Sequence, residues 1–246
     1  MLKRTFVHLP GVGLKTEAQM WRSGLATWED FLDARRVTWF GPARLAWFKS
    51  LLQKSLRHLD RPDYFAVCMP PAEHWRLFRH FRSKTAYLDI ETSGAAWAEM
   101  AVTVVGLYDG RIMRQFVLGQ NLQEFPEALA DFEVLVTFNG SQFDLPVLKA
   151  YFPDLCLPPL HLDLRFILAR LGFKGGLKKI EPRFGIHRAP EVANMNGYDA
   201  VLLWERFQRG DLTARKLLLQ YNQEDVLNLE TLMDRAFELG RNRLLP

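Results

Sequence analysis

Four acidic side chains and one phenol stand out by type and spacing: Asp89 with Glu91, Asp144, and Tyr221 with Asp225. Asp89 and Glu91 lie two apart in the apolar run Thr85-Ala86-Tyr87-Leu88-Asp89-Ile90-Glu91. In a strand such residues point to the same face, so both carboxylates leave the segment together. Close carboxylates repel and are costly to bury unless a cation or a shared proton compensates. That is the chemistry of a metal or acid–base site; a strand end facing solvent explains the pair as well. Asp144 follows Val136-Thr137-Phe138-Asn139-Gly140-Ser141-Gln142-Phe143, read as a strand ending at Asn139, a turn at Gly140 and a helix with Pro146 in its first turn. An Asp at that place also serves as a plain helix cap, and an Asn as a plain turn residue. Tyr221 and Asp225, four apart, share one face of the last helix, which the sequence reads as opening here. An acidic first turn suits any helix N-terminus.

The conjunction separates these readings. A paired carboxylate on the first strand, an Asp further on and a Tyr-x-x-x-Asp beyond it resemble the DEDD superfamily of 3′–5′ exonucleases, in its tyrosine (DEDDy) branch. The matching motifs are Asp89-Ile90-Glu91-Thr92, Asn139-Gly140-Ser141-Gln142-Phe143-Asp144 and Tyr221-Asn222-Gln223-Glu224-Asp225. The middle one is similar to the exonuclease domain of family B DNA polymerases. The histidine branch needs His five positions before the last Asp, where this chain has Gln220. The resemblance covers residues 84–240 and implies a ribonuclease H-like fold and a 3′–5′ exonuclease acting on single-stranded ends of DNA or RNA. It also implies two divalent ions, Mg²⁺ or Mn²⁺. Asp89 would bridge them, Glu91 and Asp225 would complete the first ion's site, Asp144 would hold the second, and Tyr221 would orient the attacking water. Hard oxygen donors suit those ions, and no Cys/His cluster favours zinc. Two other activities fit the same residues: a nucleic-acid-binding protein whose catalytic fold has gone silent, and a structure-specific endonuclease using the same metals. Retention of all four acids and Tyr221 argues against the silent form.

The elements that must position these groups follow from hydrophobic period. Strands are predicted at 85–91, 100–108 and 111–118, the last two joined by an Asp109-Gly110 hairpin turn, and at 134–138. Helices are predicted at 122–132, 144–151, 163–171, 177–184, 198–209 and 225–239. Three antiparallel strands followed by alternating helix and strand make a mixed α/β sheet with helices on its faces. Asp163 and Asp199 read as helix caps, with an auxiliary metal or substrate role also open for Asp163. Phe138 and Phe143, which flank the middle motif, are candidates to stack on terminal bases, with core packing the alternative for at least one, and Asn139 is a further nucleic-acid-binding candidate. Lys178, after Gly175-Gly176, either grips a phosphate or forms half of a solvated lysine pair with Lys179.

A small all-α region precedes this sheet. Helices are expected over 15–21, after an N-cap at Thr27 with Asp30 in capping-box position, over 42–59, and over 73–81, with Asp60-Arg61-Pro62-Asp63 as a breaker. Leu9-Pro10-Gly11-Val12-Gly13-Leu14-Lys15-Thr16 resembles a helix-hairpin-helix, in which Gly11, Gly13 and Lys15 would offer amides and charge to a phosphate; a purely structural hairpin is the alternative. The charge supports a polyanionic partner for this region. The net +4 splits into +6 over residues 1–80 and −2 over 81–246. Arg44, Lys49, Lys54 and Arg57 interleave with Trp47 and Phe48, a pattern suited to strand or duplex without sequence preference. The expected division is 1–82, basic and helical, and 83–246, ribonuclease H-like. With 48% hydrophobic residues a sizeable core is available. Two unpaired cysteines, no signal peptide and no run of the ~18 apolar residues that span a bilayer lead to the expectation of a cytoplasmic protein with no membrane partner.

Overall fold

The computed structural model describes residues 1–94, 96 and 100–244. The chain divides into two compact units, Met1–Arg82 and Ser83–Pro246.

The first unit is helical: α1 Leu14–Arg22, α2 Trp28–Asp33, α3 Pro42–Arg57 and α4 Pro62–Cys68. The Thr27/Asp30 capping box forms as its spacing requires, and Pro42 sits in the first turn of α3, where its missing N–H costs nothing. Phe6, Trp28, Phe31, Phe48 and Phe65 are fully buried together with Met20. Trp28 Nε1 donates to the Thr5 carbonyl at 2.7 Å, so the indole enters the core with its polar atom satisfied. A buried ion cluster runs beneath: Arg76 donates to Glu17 and to Glu73 at 2.7 Å each, while Glu17 accepts from the Phe6 amide at 2.6 Å. Burial pushes the Glu17 carboxyl up, and Arg76 and the amides recover only part of that shift.

Four expectations for this unit need correction. Only a three-residue 3-10 turn, Leu2–Arg4, precedes the Gly11–Gly13 segment, so the first helix of the expected hairpin is missing. Gly11, Gly13 and Lys15 are exposed, with Gly13 as the N-cap of α1. Lys49 is spent inside the unit, donating to the Leu32 and Ala34 carbonyls at 2.6 and 2.7 Å where α2 ends. α3 stops at Arg57, before the expected breaker, where Pro62 instead starts α4, and residues Pro71–Leu77 form a 3-10 rather than an α-helix.

The second unit is built on a five-stranded sheet of order β3-β2-β1-β4-β5. The strands are β1 Thr85–Thr92, β2 Val102–Tyr108, β3 Met113–Val117, β4 Val134–Thr137 and β5 Leu160–Asp163. β1, β2 and β3 pair antiparallel as a meander; β4 and β5 add in parallel beside β1. The helices are α5 Phe125–Leu129, α6 Asp144–Tyr151, α7 Leu164–Arg170, α8 Leu177–Ile180, α9 Gly197–Gln208 and α10 Leu212–Leu244. Alternation along β1 sends Ala86, Leu88 and Ile90 into a core shared with Phe125, Val147 and Leu148 of α5 and α6. The opposite face packs Val104 and Val117 against Leu203, Trp204 and Leu218 of α9 and α10. Asp89 and Glu91 belong to this second face, at the carboxyl end of the strand. The sequence missed β5: four residues after Pro158-Pro159 are too short to display a period, and Asp163 reads as the start of the following helix.

Candidate active site

β1 carries Asp89 opposite Gly106 of β2 and Glu91 opposite Val104. Gly106 is required here: a Cβ in its place would sit 2.4 Å from Asn222 Oδ1 and 2.7 Å from a Val226 methyl. The bare backbone lets α10 lie directly on the sheet. Asn222, fully buried, reaches across with Nδ2 3.3 Å from the Asp89 carbonyl and 3.4 Å from its carboxylate. Gln115 Nε2 donates in turn to Asn222 Oδ1 at 3.1 Å and to the Leu219 carbonyl at 2.7 Å, fixing the orientation of the amide.

α10 differs from expectation in a way that bears on chemistry. It runs for 33 residues, so Tyr221 and Asp225 lie well inside it and not in its first turn. The helix dipole acts only over the terminal turn and therefore gives no reason for Asp225 to be acidic. Asp144 likewise is not the cap of α6; Phe143 holds that position, with no side-chain cap bond. The Asp144 carboxylate is buried and accepts from its own amide and from that of Ile90, tying the start of α6 to β1. Asn139 turns the chain in the left-handed region, φ 68°. Gly140 packs so closely on Thr137 that a Cβ would lie 2.2 Å from its hydroxyl. Asp163 caps α7 through the Arg165 amide at 3.1 Å. It also accepts from the amides of Asn139 and Ser141 at 2.8 and 3.1 Å and from the Ser141 hydroxyl at 2.6 Å, so its oxygens are used in holding the turn before Asp144.

Three carboxylates converge. Ligand oxygens of Asp89, Glu91 and Asp225 all lie within 4.8 Å of one another. Asp144, Tyr221, Asn139 and Phe143 line the same cleft, about 1080 Å³ in volume. Burial is the main cause of raised carboxyl pKa values throughout. Asp89 is pushed up further by Asp225, Asp144 and Glu91, and Glu91 by Asp225. Asp144 rises from the ordinary 3.8 to about 7. Glu91 Oε1 is buried without a hydrogen-bond partner among the described residues. An unpartnered buried carboxylate oxygen facing other carboxylates, all hard donors, fits a Mg²⁺- or Mn²⁺-class ion.

Two cations enter the cluster from outside the three motifs. Lys178 is part-buried; its ammonium donates to the Tyr221 hydroxyl and the Met195 carbonyl and lies 4.0 Å from the Tyr221 ring centre. Arg188, with a side chain 4% exposed, donates to Glu181 at 2.7 and 2.6 Å and also to Asp225. Burial disfavours its charge, but its bonds to Glu181 and the Asp225 charge outweigh that and raise its pKa. Asp225 stays raised despite this partner, burial being the larger effect. Sequence reading missed Glu181, Arg188 and Asn222. Arg188 lies in a segment without periodicity, Ile186-His187-Arg188-Ala189-Pro190, and only the fold brings it to α10. Gly11, Gly13 and Lys15 belong to the first unit.

The sequence model of the RNase_H superfamily matches residues 86–237, a span holding all of the sheet but its first residue, Thr85, and every acid of the cluster. The chain belongs to the RNase H superfamily. Among solved structures, this RNase H superfamily chain is similar to the family B DNA polymerase from the hyperthermophilic archaeon Pyrobaculum calidifontis, at 18% identity and a TM-score of 0.49 over 61% of this chain and 24% of that one. It thus spans about a quarter of the polymerase's length. It is also similar to the Aedes aegypti Nibbler EXO domain, at 14% identity and a TM-score of 0.41 over 70% of this chain and 86% of that one. No curated protein matches it. Among the described residues, no helix is long and apolar enough to cross a membrane.

Proposed function

We propose that this RNase H superfamily member is a metal-dependent nuclease that removes nucleotides from single-stranded 3′ ends of DNA or RNA. The observation that carries the reading is the convergence of Asp89, Glu91 and Asp225 beside Asp144 at the floor of one cleft. Asp89 would be shared by two ions, with Glu91 and Asp225 on the first and Asp144 on the second. Bound Mg²⁺ or Mn²⁺ supplies an acidified water, neutralised phosphate charge and a stabilised leaving oxygen.

The chain's own groups do the rest. Burial first, then the Asp225 and Glu91 charges, push the Tyr221 hydroxyl far up, so it stays protonated and cannot act as a base. Lys178 donates to the phenol oxygen, which leaves the phenolic proton free to orient a water or a phosphate oxygen in the cleft. Asn222 holds Asp89, and Arg188 holds Asp225, so both carboxylates are fixed before substrate arrives. The Asn139–Asp144 turn, held by the Asp163 carboxylate, keeps Phe143 at the cleft wall, where a terminal base would rest.

The test is incubation of an end-labelled single strand and a covalently closed circle with Mg²⁺ or Mn²⁺. Stepwise loss from the 3′ end of the linear strand, with the circle intact, is the expected result. Cutting of the circle would make the enzyme an endonuclease; inertness toward both, with strand binding retained, would make it a binding protein. Asp89→Ala should abolish hydrolysis, and activity remaining in that variant would overturn the site assignment.

A further inference from the structure

We propose that Phe166 and Tyr198 form an aromatic jaw that takes unstacked bases of a single nucleic-acid strand leading into the cleft. The proposal rests on the nuclease reading above and names what that site selects. Among the described residues of the second unit, Phe166 and Tyr198 are the two exposed Phe, Tyr or Trp side chains, 45% and 69% accessible, and both line this one cleft. Single exposed apolar residues are ordinary on a protein surface. Here the exposed rings are confined to the mouth of the pocket whose floor holds the acids.

Both rings stand on anchored backbone. Phe166 lies in the first turn of α7, where Asp163 accepts from the Arg165 amide and Arg165 reaches Asn139 Oδ1 at 2.5 Å. Tyr198 lies in the first turn of α9, its amide bonded to Asn196 Oδ1 at 2.8 Å inside a complete capping box with Asp199. Neither ring therefore has to order its backbone on binding, which removes part of the entropic cost of capturing a flexible strand. The ligand chemistry follows from the walls. An aromatic face left in water is matched by a base face, and every base has one, so such stacking tolerates any sequence. Arg165 and Lys174 line the same cleft and give the wall the positive charge that a phosphate backbone requires. A paired base inside a duplex has both faces covered by its neighbours and cannot use the jaw; an unpaired terminal base can. The jaw is thus the feature that favours a frayed or single-stranded end over a paired one.

The experiment measures binding without turnover, by fluorescence anisotropy of the full chain in EDTA. One labelled strand carries normal nucleotides, and a second of equal length has abasic sites at its last three 3′ positions. Wild type should bind the base-bearing strand at least about tenfold more tightly than the abasic one. Phe166→Ala and Tyr198→Ala should each lose roughly five- to tenfold on the base-bearing strand. The double variant should no longer distinguish the two strands, whereas Tyr198→Phe, which keeps the ring, should bind like wild type. Melting temperatures of the variants verify that they are folded. Equal binding of both strands by wild type, or undiminished discrimination by the double variant, overturns the jaw. The underlying nuclease reading is judged separately, by Mn²⁺-dependent hydrolysis of bis(p-nitrophenyl) phosphate by wild type, a phosphodiester with no nucleobase. Its failure there overturns the catalytic site whatever the strands do.

Discussion

At the scale of single residues, Asp144 links pH to stability in a direction opposite to that of an ion-paired carboxylate. Its pKa in the folded chain, about 7, lies above the ordinary 3.8 of an unfolded chain. Below about 3.8 both states hold the proton and the site adds no penalty; above about 7 neither does, and the folded state bears the full cost of a buried charge. The metal-free protein should therefore lose stability as pH rises between these values. Asp89 and Glu91, shifted the same way, add to the trend. Melting curves in EDTA from pH 5 to 8 should show a falling melting temperature, and Asp144→Asn should flatten the fall. Mn²⁺ should raise the melting temperature more at the high end of the range. Arg188 offers a second test at this scale, because it neutralises Asp225 while paired with buried Glu181. Arg188→Met leaves two buried carboxylates without their partner and should cost roughly 3–5 kcal/mol in urea unfolding of the metal-free protein. Adding Glu181→Gln to it should restore part of that loss. Tyr221→Phe removes an orienting proton but no metal-site oxygen. Turnover should fall by up to about 100-fold while Mn²⁺ affinity, read by calorimetry, stays unchanged.

Among the elements, the approach of α10 to β1 and β2 decides whether the site exists. It depends on Gly106, a strand residue lacking any side chain under Asn222. Gly106→Ala puts a methyl where the Asn222 amide now lies, and overpacking of that kind costs about 1–3 kcal/mol. The loss should be visible in urea unfolding, together with weaker Mn²⁺ binding, since Asn222 holds Asp89. A Gly106→Ala protein with wild-type stability and metal affinity would show that the helix can shift without harm to the carboxylates. What the sequence disclosed and what it hid follow from the same geometry. β1 is legible because eight residues are enough to show apolar enrichment, and a period of two places Asp89 with Glu91. α6 is legible because Asn139-Gly140 and Pro146 punctuate it. The beginning of α10 was not, because Glu224 and Asp225 imitate an N-terminus from the middle of a helix. Arg188 and Gly106 carried no local signal at all, since each matters only through a partner that lies far along the chain.

For the molecule as a whole, the separation of charge along the sequence acquires a physical location. The acids of the site reside in the second unit, whereas residues 1–80 carry the +6 excess. In the first unit the surface of α3 and the first turn of α1 present exposed basic groups. Arg44 lies 5.1 Å from the ring centres of Phe40 and Phe48, and its guanidinium stands beside Gly11, where a Cβ would come within 3.2 Å. Lys15, Lys54 and Arg57 are exposed, and Trp47 is 47% exposed between them in sequence. Lys49 does not contribute, being bonded to the end of α2. We expect this surface to hold nucleic acid through phosphates, which release counterions on binding, so the affinity should fall steeply with salt. Replacing Lys15 and Arg44 by Glu should weaken binding of single strands of any sequence to a similar degree. It should also flatten the plot of log affinity against log salt by roughly 0.7 for each phosphate that is no longer neutralised, or about 1.4 for the pair. Hydrolysis of bis(p-nitrophenyl) phosphate, which is too small to span a strand-binding surface, should be unaffected by these exposed substitutions. A salt slope equal to that of wild type would mean that the basic surface faces some other partner, and that strand affinity arises from the second unit alone.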